Sequence, residues 1–231
     1  MNASMTVATA QPAATRDTLG DPSWEVAVAG SPGYERAKRV VDVIGASLLL
    51  AALLPIMLLA AALIKLTSRG PALFRQARAG RDGRPFTMYK FRSMRSGAEE
   101  DRSLLKSRNL YRGPVFKVPD DPRVTPVGRF LRRSSIDELP QLLNVLRGEM
   151  SLVGPRPLWL PEAQETRGVA RDRMKVKPGL TCLWQISGRS ELSYDRWVRL
   201  DLYYISHRST WLDVLILVQT IPAVLSARGA Y

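Results

Sequence analysis

From Val43 to Ile64 the chain carries no charged side chain, and this run constrains the fold more than any other feature. Twenty-two helical residues extend ~33 Å, enough to cross a hydrocarbon core of about 30 Å. Pro55 sits in the middle of the run, where it removes a backbone hydrogen bond and bends a helix. Basic residues flank both ends: Arg36, Lys38 and Arg39 before, Lys65 and Arg69 after. Positive flanks favour the cytoplasmic face. A bent helix over 33–69 that enters and leaves by the same leaflet satisfies both facts. A single span with a proline kink is the other reading.

The flanking charge is part of a wider excess. Lys and Arg number 34 against 21 Asp and Glu, a formal charge of +13. Such a balance calls for an anionic partner: nucleic acid, phosphorylated small molecules or an acidic membrane face. The chain has one cysteine, Cys182, and one histidine, His207. These counts exclude an intramolecular disulfide framework and a thiolate metal cage, and they argue against a histidine zinc site or a Ser-His-Asp triad. Chemistry therefore falls to carboxylates, Arg, Lys and an oxygen-liganded metal, in a reducing, cytoplasmic-side setting.

Residues 1–32, rich in Ala, Thr, Pro, Ser and Gly, read as a disordered tail without the apolar core of a signal peptide. Residues 70–231 read as a compact cytosolic domain. Ala72–Arg78 and Pro85–Phe91 pattern as strands, with Asp82-Gly83 as the hairpin turn. Residues 96–110 are polar and helix-prone. Further helices are expected over Pro126–Arg133, Ser135–Leu146, and about 161–175, 191–206 and 211–226. The last is too short to span and suits the interface or the core. The fold class is α/β, mostly helical: a re-entrant membrane helix, a short β-hairpin and interfacial helices.

The chemistry-bearing segment is Ser134-Ser135-Ile136-Asp137-Glu138-Leu139-Pro140-Gln141. Ser135 with Glu138 has capping-box spacing, and Pro140 suits a first helical turn. Asp137 would then stand at the positive end of a helix, near Arg129, Arg132 and Arg133. An ionised carboxylate there can attack phosphorus or hold a divalent metal. Acidic residues in first turns more often only stabilise the helix. Around it, Gly154-Pro155-Arg156-Pro157 offers a guanidinium in a stiff loop, Lys90 and Arg92 share a strand face, and Asp121, Arg123 and Thr125 alternate. Trp184-Gln185, with Gly188-Arg189 just beyond, is an aromatic and amide pair able to meet a base.

Taken in this order, the motifs resemble the bacterial sugar transferase family, the monotopic phosphoglycosyl transferases. The likeness runs from about residue 34 to the end. It is carried by Lys38-Arg39 with Asp42, Lys90–Met94, Asp120–Thr125, Leu131–Gln141, Asn144–Pro157, Lys177–Thr181, Trp184–Arg189 and Leu200–Tyr204. The ending Thr220–Tyr231 looks like members that start exopolysaccharide repeat units.

The resemblance implies transfer of a hexose 1-phosphate from a UDP-sugar to undecaprenyl phosphate at the cytoplasmic face of the inner membrane, with UMP as the second product. It makes Asp137 the nucleophile of a phospho-sugar aspartyl intermediate and Glu138 its dyad partner, with magnesium held at Asp137. Lys90, Arg92, Arg123 and Arg156 become phosphate contacts. Glu162 and Arg189 fall on the nucleotide-sugar side, with Asp195 beside them. Two positions depart from the family pattern. Leu54-Pro55 replaces Ser-Pro at the helix bend, and Cys182 stands where glycine is usual. No multi-span N-terminal region is seen, so a minimal form is expected. A homo-oligomer is compatible with all of this. A membrane-anchored nucleic-acid binder explains the charge but not the acidic pair, so no nucleic-acid partner is expected. A silent scaffold explains neither the intact pair nor the arginine loop.

Overall fold

The computed structural model describes residues 26–110, 115–227 and 229. The chain is mostly helical, with one long apolar helix, α1 (Pro32–Thr67), and two small sheets. Most of the expected tail, residues 1–25, lies outside the described residues. Residues 26–31 do not trail away. Val26 N donates to Asp172 Oδ2 at 2.7 Å, and Ala29 N donates to Ile205 O at 2.9 Å.

Ser31 caps α1 by accepting from Tyr34 N, and Pro32 fills the first turn, where its missing N–H costs nothing. The helix runs without interruption through Pro55. Its two ends are fastened to one domain. At the start, Lys38 pairs with Asp213 at 2.8 Å, and Asp42 Oδ1 accepts from Ser151 Oγ (2.9 Å) and Leu152 N (2.8 Å). Arg39 donates to the carbonyls of Val145 and Leu146. At the far end, Ala60 and Ile64 are buried with Phe91 and Leu131. There Arg92 donates to Ser68 O (2.9 Å) and Arg69 O (2.5 Å). Between these anchors Leu48, Leu49, Leu54, Ile56, Leu58 and Leu59 are exposed.

Strands β1 (Leu73–Ala79) and β2 (Pro85–Phe91) pair antiparallel, with Leu73 opposite Phe91. Asp82 and Gly83 both take positive φ, 58° and 74°, as the sequence expectation of a tight turn requires. Helix α2 (Pro126–Arg133) has the expected bounds, capped by Thr125. The expected helix over Ser135–Leu146 is instead two pieces, a 3-10 turn (Ile136–Gln141) and a short α3 (Leu142–Arg147) that ends on left-handed Gly148. The region expected as a helix over 161–175 is likewise split, into α4 (Leu160–Glu165) and a 3-10 segment (Gly168–Met174). Beyond them lie α5 (Leu183–Ile186), α6 (Tyr194–His207) and α7 (Thr210–Leu225).

One feature had no local signal. β3 (Ser151–Val153) and β4 (Gly179–Thr181) form a parallel pair. A Cβ on Gly179 would sit 2.0 Å from Gly154 N, so only glycine permits this approach. The contact locks the loop that carries Arg156, with Gly179 N donating to Pro155 O at 2.9 Å. The main core gathers Leu142, Val145, Met150, Leu152, Val198, Leu202 and Ile205 beneath it.

Candidate active site

Asn144, fully buried, sets the site's position. Its Oδ1 accepts from Tyr89 N, and its Nδ2 donates to Thr87 O and Glu149 Oε2. These bonds hold α3 and the preceding 3-10 turn against β2. Lys90 on β2 thereby meets Glu138 on the turn. Lys90 Nζ and Arg156 Nη2 each lie 2.8 Å from Glu138 Oε1. Gln185 Nε2 makes a longer 3.4 Å contact to Glu138 Oε2.

The expected capping box is not formed. Ser135 has φ 57° and makes no capping bond, and the Glu138 side chain turns to Lys90 and Arg156. The reason is energetic. Two buried cations stabilise a carboxylate far more than one backbone amide does, and leaving them unpaired would be costly. Ser135 Oγ instead accepts from Arg189 Nη2 at 3.2 Å. Arg189 itself has φ 53°, so two non-glycine residues in the left-handed region face each other beside Asp137.

Asp137 and Glu138 are both buried but differ in company. Asp137 accepts no hydrogen bond among the described residues. Burial pushes its carboxyl above the usual range. Lys90 opposes this, Glu138 adds to it, and Arg132 and Arg156 oppose it again. Burial also pushes Glu138 up, but Arg156 and Lys90 outweigh it and hold the group well below the usual glutamate range. Asp137 does lie in the first turn of the 3-10 segment, as expected, but burial there raises its carboxyl where the helix-start reading expected the ionised form to be favoured.

The structure brings Lys90, Asp137, Glu138, Arg156 and Arg189 together. Arg92, beyond the end of β2, clamps the C-terminal end of α1. Arg123 makes a bidentate pair with Asp121 and donates to Ala98 O. Glu162 accepts from Arg102 Nη2, Phe116 N and Trp159 N. Asp195 lies in the first turn of α6. Trp184, expected to meet a base, is buried and stacked on Trp197 with ring centres 4.7 Å apart.

Two cations at the site, Lys117 and Arg78, were not named from the sequence, and Arg132 stands near Asp137 as expected. Lys117 Nζ donates to Ser190 Oγ, and burial with nearby Arg156, Arg132 and Arg189 pushes it down to about 7. Arg132, whose Nε donates to Ser93 Oγ, feels Asp137 as its strongest charged neighbour. Arg78 donates to Pro157 O. Lys117 and Arg78 carry no local signal, because each is remote in sequence from the acidic pair.

Among the described residues no cluster of three His, Cys, Asp or Glu could hold a metal. Glu138 is committed to its cations, so Asp137 is the carboxylate left for a divalent ion. That donor set suits magnesium, which binds through one or two carboxylates and takes the rest of its shell from phosphates and water.

A mostly helical domain fastened to a helix long and apolar enough to cross a membrane thus carries an acidic pair set among cations. Residues 33–227 match the family model described as bacterial sugar transferase, and the chain belongs to that family. It is 46% identical over 197 residues to galactosyl transferase CpsE of Streptococcus agalactiae, covering 84% of this chain and 43% of that protein. It is 43% identical to the exopolysaccharide production protein ExoY of Sinorhizobium fredii, covering 84% and 88%. A third relative, at 41% identity, is the UDP-glucose:undecaprenyl-phosphate glucose-1-phosphate transferase of Klebsiella pneumoniae, covering 84% and 41%. The chain thus spans about two fifths of the first and third relatives and most of ExoY.

Proposed function

We propose that this protein transfers a hexose 1-phosphate from a UDP-sugar to undecaprenyl phosphate. One observation carries the reading. Of two adjacent buried carboxylates, Glu138 is saturated by cations and Asp137 accepts no hydrogen bond among the described residues. Asp137 is therefore the one able to react. An Asp137 oxygen attacks the sugar-bearing phosphorus, and the bond to UMP breaks with its electron pair leaving on UMP. An oxygen of the lipid phosphate then attacks the same phosphorus and breaks the aspartyl bond. Undecaprenyl diphosphate sugar departs and the carboxylate is restored.

Lys90, Arg132, Arg156 and Arg189 supply fixed positive charge, which is what a phosphoryl-transfer transition state needs most, and Lys117 adds to it when protonated. Glu138 orients Lys90 and Arg156. Magnesium at Asp137 would offset phosphate charge. Arg92 and Arg123 support this centre through the packing already described, and Glu162 and Arg189 are assigned to the nucleotide-sugar side. The names of relatives include both galactosyl and glucose transferases.

The anchoring of α1 supports a re-entrant arrangement in the membrane. A straight 36-residue helix spanning the bilayer would put its ends on opposite sides, yet Asp42 and Ser68 both hold the same domain. Both ends then belong on the cytoplasmic face, with the exposed leucines in lipid. The deciding experiment supplies UDP-sugars labelled in the β-phosphate. Without lipid, label should stay on the denatured protein and UMP should appear. Adding undecaprenyl phosphate should move the label to lipid. No protein-bound label with normal turnover would sink the covalent route.

A further inference from the structure

Arg156 Nη2 donates to Glu138, and the Arg156 guanidinium carbon stands 5.6 Å from the centre of the Trp184 ring. Trp184 stacks on Trp197, with 4.7 Å between centres and 24° between planes. The Arg173 guanidinium carbon lies 4.6 Å from the Trp197 ring centre, and Arg173 pairs with Asp201. A continuous column of contacts thus runs from the acidic pair into the core: Arg156, Trp184, Trp197, Arg173, Asp201. Trp184 and Trp197 are buried, and the side chains of Arg173 and Asp201 are each 1% exposed.

Packing alone does not account for this column. A buried ion pair contributes little compared with apolar residues of the same volume. The buried Trp184 Nε1 has no hydrogen-bond partner among the described residues, so stacking places that indole. What the column does offer is control of a long side chain. A free arginine side chain has many rotamers to lose when it is held in one geometry. An aromatic face attracts the guanidinium without consuming its N–H groups. Among the described residues Arg156 spends one hydrogen bond, on Glu138, which leaves its other donors for phosphate oxygens.

We infer that Trp184 and Trp197, anchored by the Arg173–Asp201 pair, are positioning residues that hold Arg156 in its transfer geometry. The inference rests on the reading of Asp137 and Glu138 as the transfer centre. Its test is a double-mutant cycle on the full chain, reading the single-turnover rate of UMP release from a UDP-sugar. Trp184→Leu should slow release about tenfold, the equivalent of one lost cation–π contact, with a smaller change in KM than in kcat. Trp184→Phe keeps an aromatic face and should lose about threefold or less. In an Arg156→Lys background the same Trp184 changes should cost under about twofold, because residues acting through one another are not additive. If Trp184→Leu does not fold, the cycle is run with Trp184→Phe. Full additive losses in the lysine background, or no loss from any folded Trp184 variant, would overturn the inference. A wild-type protein that released no UMP would overturn the function on which it rests.

Discussion

Arg156 Nη2 and Lys90 Nζ converge on the same oxygen of Glu138, each at 2.8 Å, while the neighbouring Asp137 accepts no hydrogen bond among the described residues. Two acidic residues adjacent in the chain are thereby given different work. Glu138 becomes a structural anion that holds two cations in place. Asp137 becomes a desolvated, unengaged carboxylate facing the same cations.

Asp137→Asn should abolish transfer without unfolding the protein. The folded carboxyl is raised above its ordinary range, chiefly by burial. A raised acid contributes stability below its unfolded pKa and loses it as pH rises. At neutral pH a neutral Asn should therefore melt at the same temperature or slightly higher. A large fall in melting temperature would show that ionised Asp137 supports the fold.

Glu138→Gln should be the damaging change. It leaves Lys90 and Arg156 without their anion at a largely buried site, a loss of about 3 kcal/mol. The folded carboxyl is depressed, so its contribution is present above the unfolded value of 4.5 and fades as pH falls below it. Denaturant titrations from pH 6 to pH 3 should show this slope in the wild type and a smaller one in the variant.

Lys117 should take up a proton when a UDP-sugar binds. Burial lowers it to about 7, so it is largely neutral at pH 8.5. Phosphate beside it favours the ammonium form and raises the value again. Calorimetry in buffers of different ionisation enthalpy should reveal uptake between pH 7 and 10, absent in Lys117→Met. Buffer-independent heats in the wild type would remove Lys117 from the phosphate site.

Cys182 should resist thiol reagents until the protein unfolds. It is 2% exposed and burial pushes its thiol up to about 12, so little thiolate is available. Its backbone is extended, with φ −159°, a conformation any residue adopts, so a cysteine fits where the family resemblance led to an expectation of glycine. Alkylation by iodoacetamide in the native state would contradict this.

Both ends of α1 should label from the cytoplasmic side. Arg36 and Arg69 are exposed and flank the apolar run. In intact cells, Arg36→Cys and Arg69→Cys should both be shielded from an impermeant maleimide and both react after lysis. Labelling of one end from outside would establish a simple span.

Much of the fold was legible because its signals are local. Asp82-Gly83 demands positive φ and sets the hairpin, and Thr125 with Pro126 starts α2 where the sequence places it. The β3–β4 pair was not legible. Three-residue strands carry no periodicity, and their pairing depends on Gly154 meeting Gly179 across the intervening chain. The split at Gln141 was missed for a related reason: a helix pattern was read through a turn whose geometry is set by the bonds of Asn144 to β2.

The sequence by itself determined that this chain has an apolar run long enough for a bilayer, a large cationic excess, and an Asp-Glu pair in the family's order. These are properties of composition and spacing, and they survive without coordinates. Only the tertiary structure decided which acid is free. Lys90 and Arg156 approach Glu138 from 48 and 18 positions away, and Trp184 turns from a partner for a base into a stacked core residue. Burial and charge pairing depend on what packs against a group, and distant segments supply that packing.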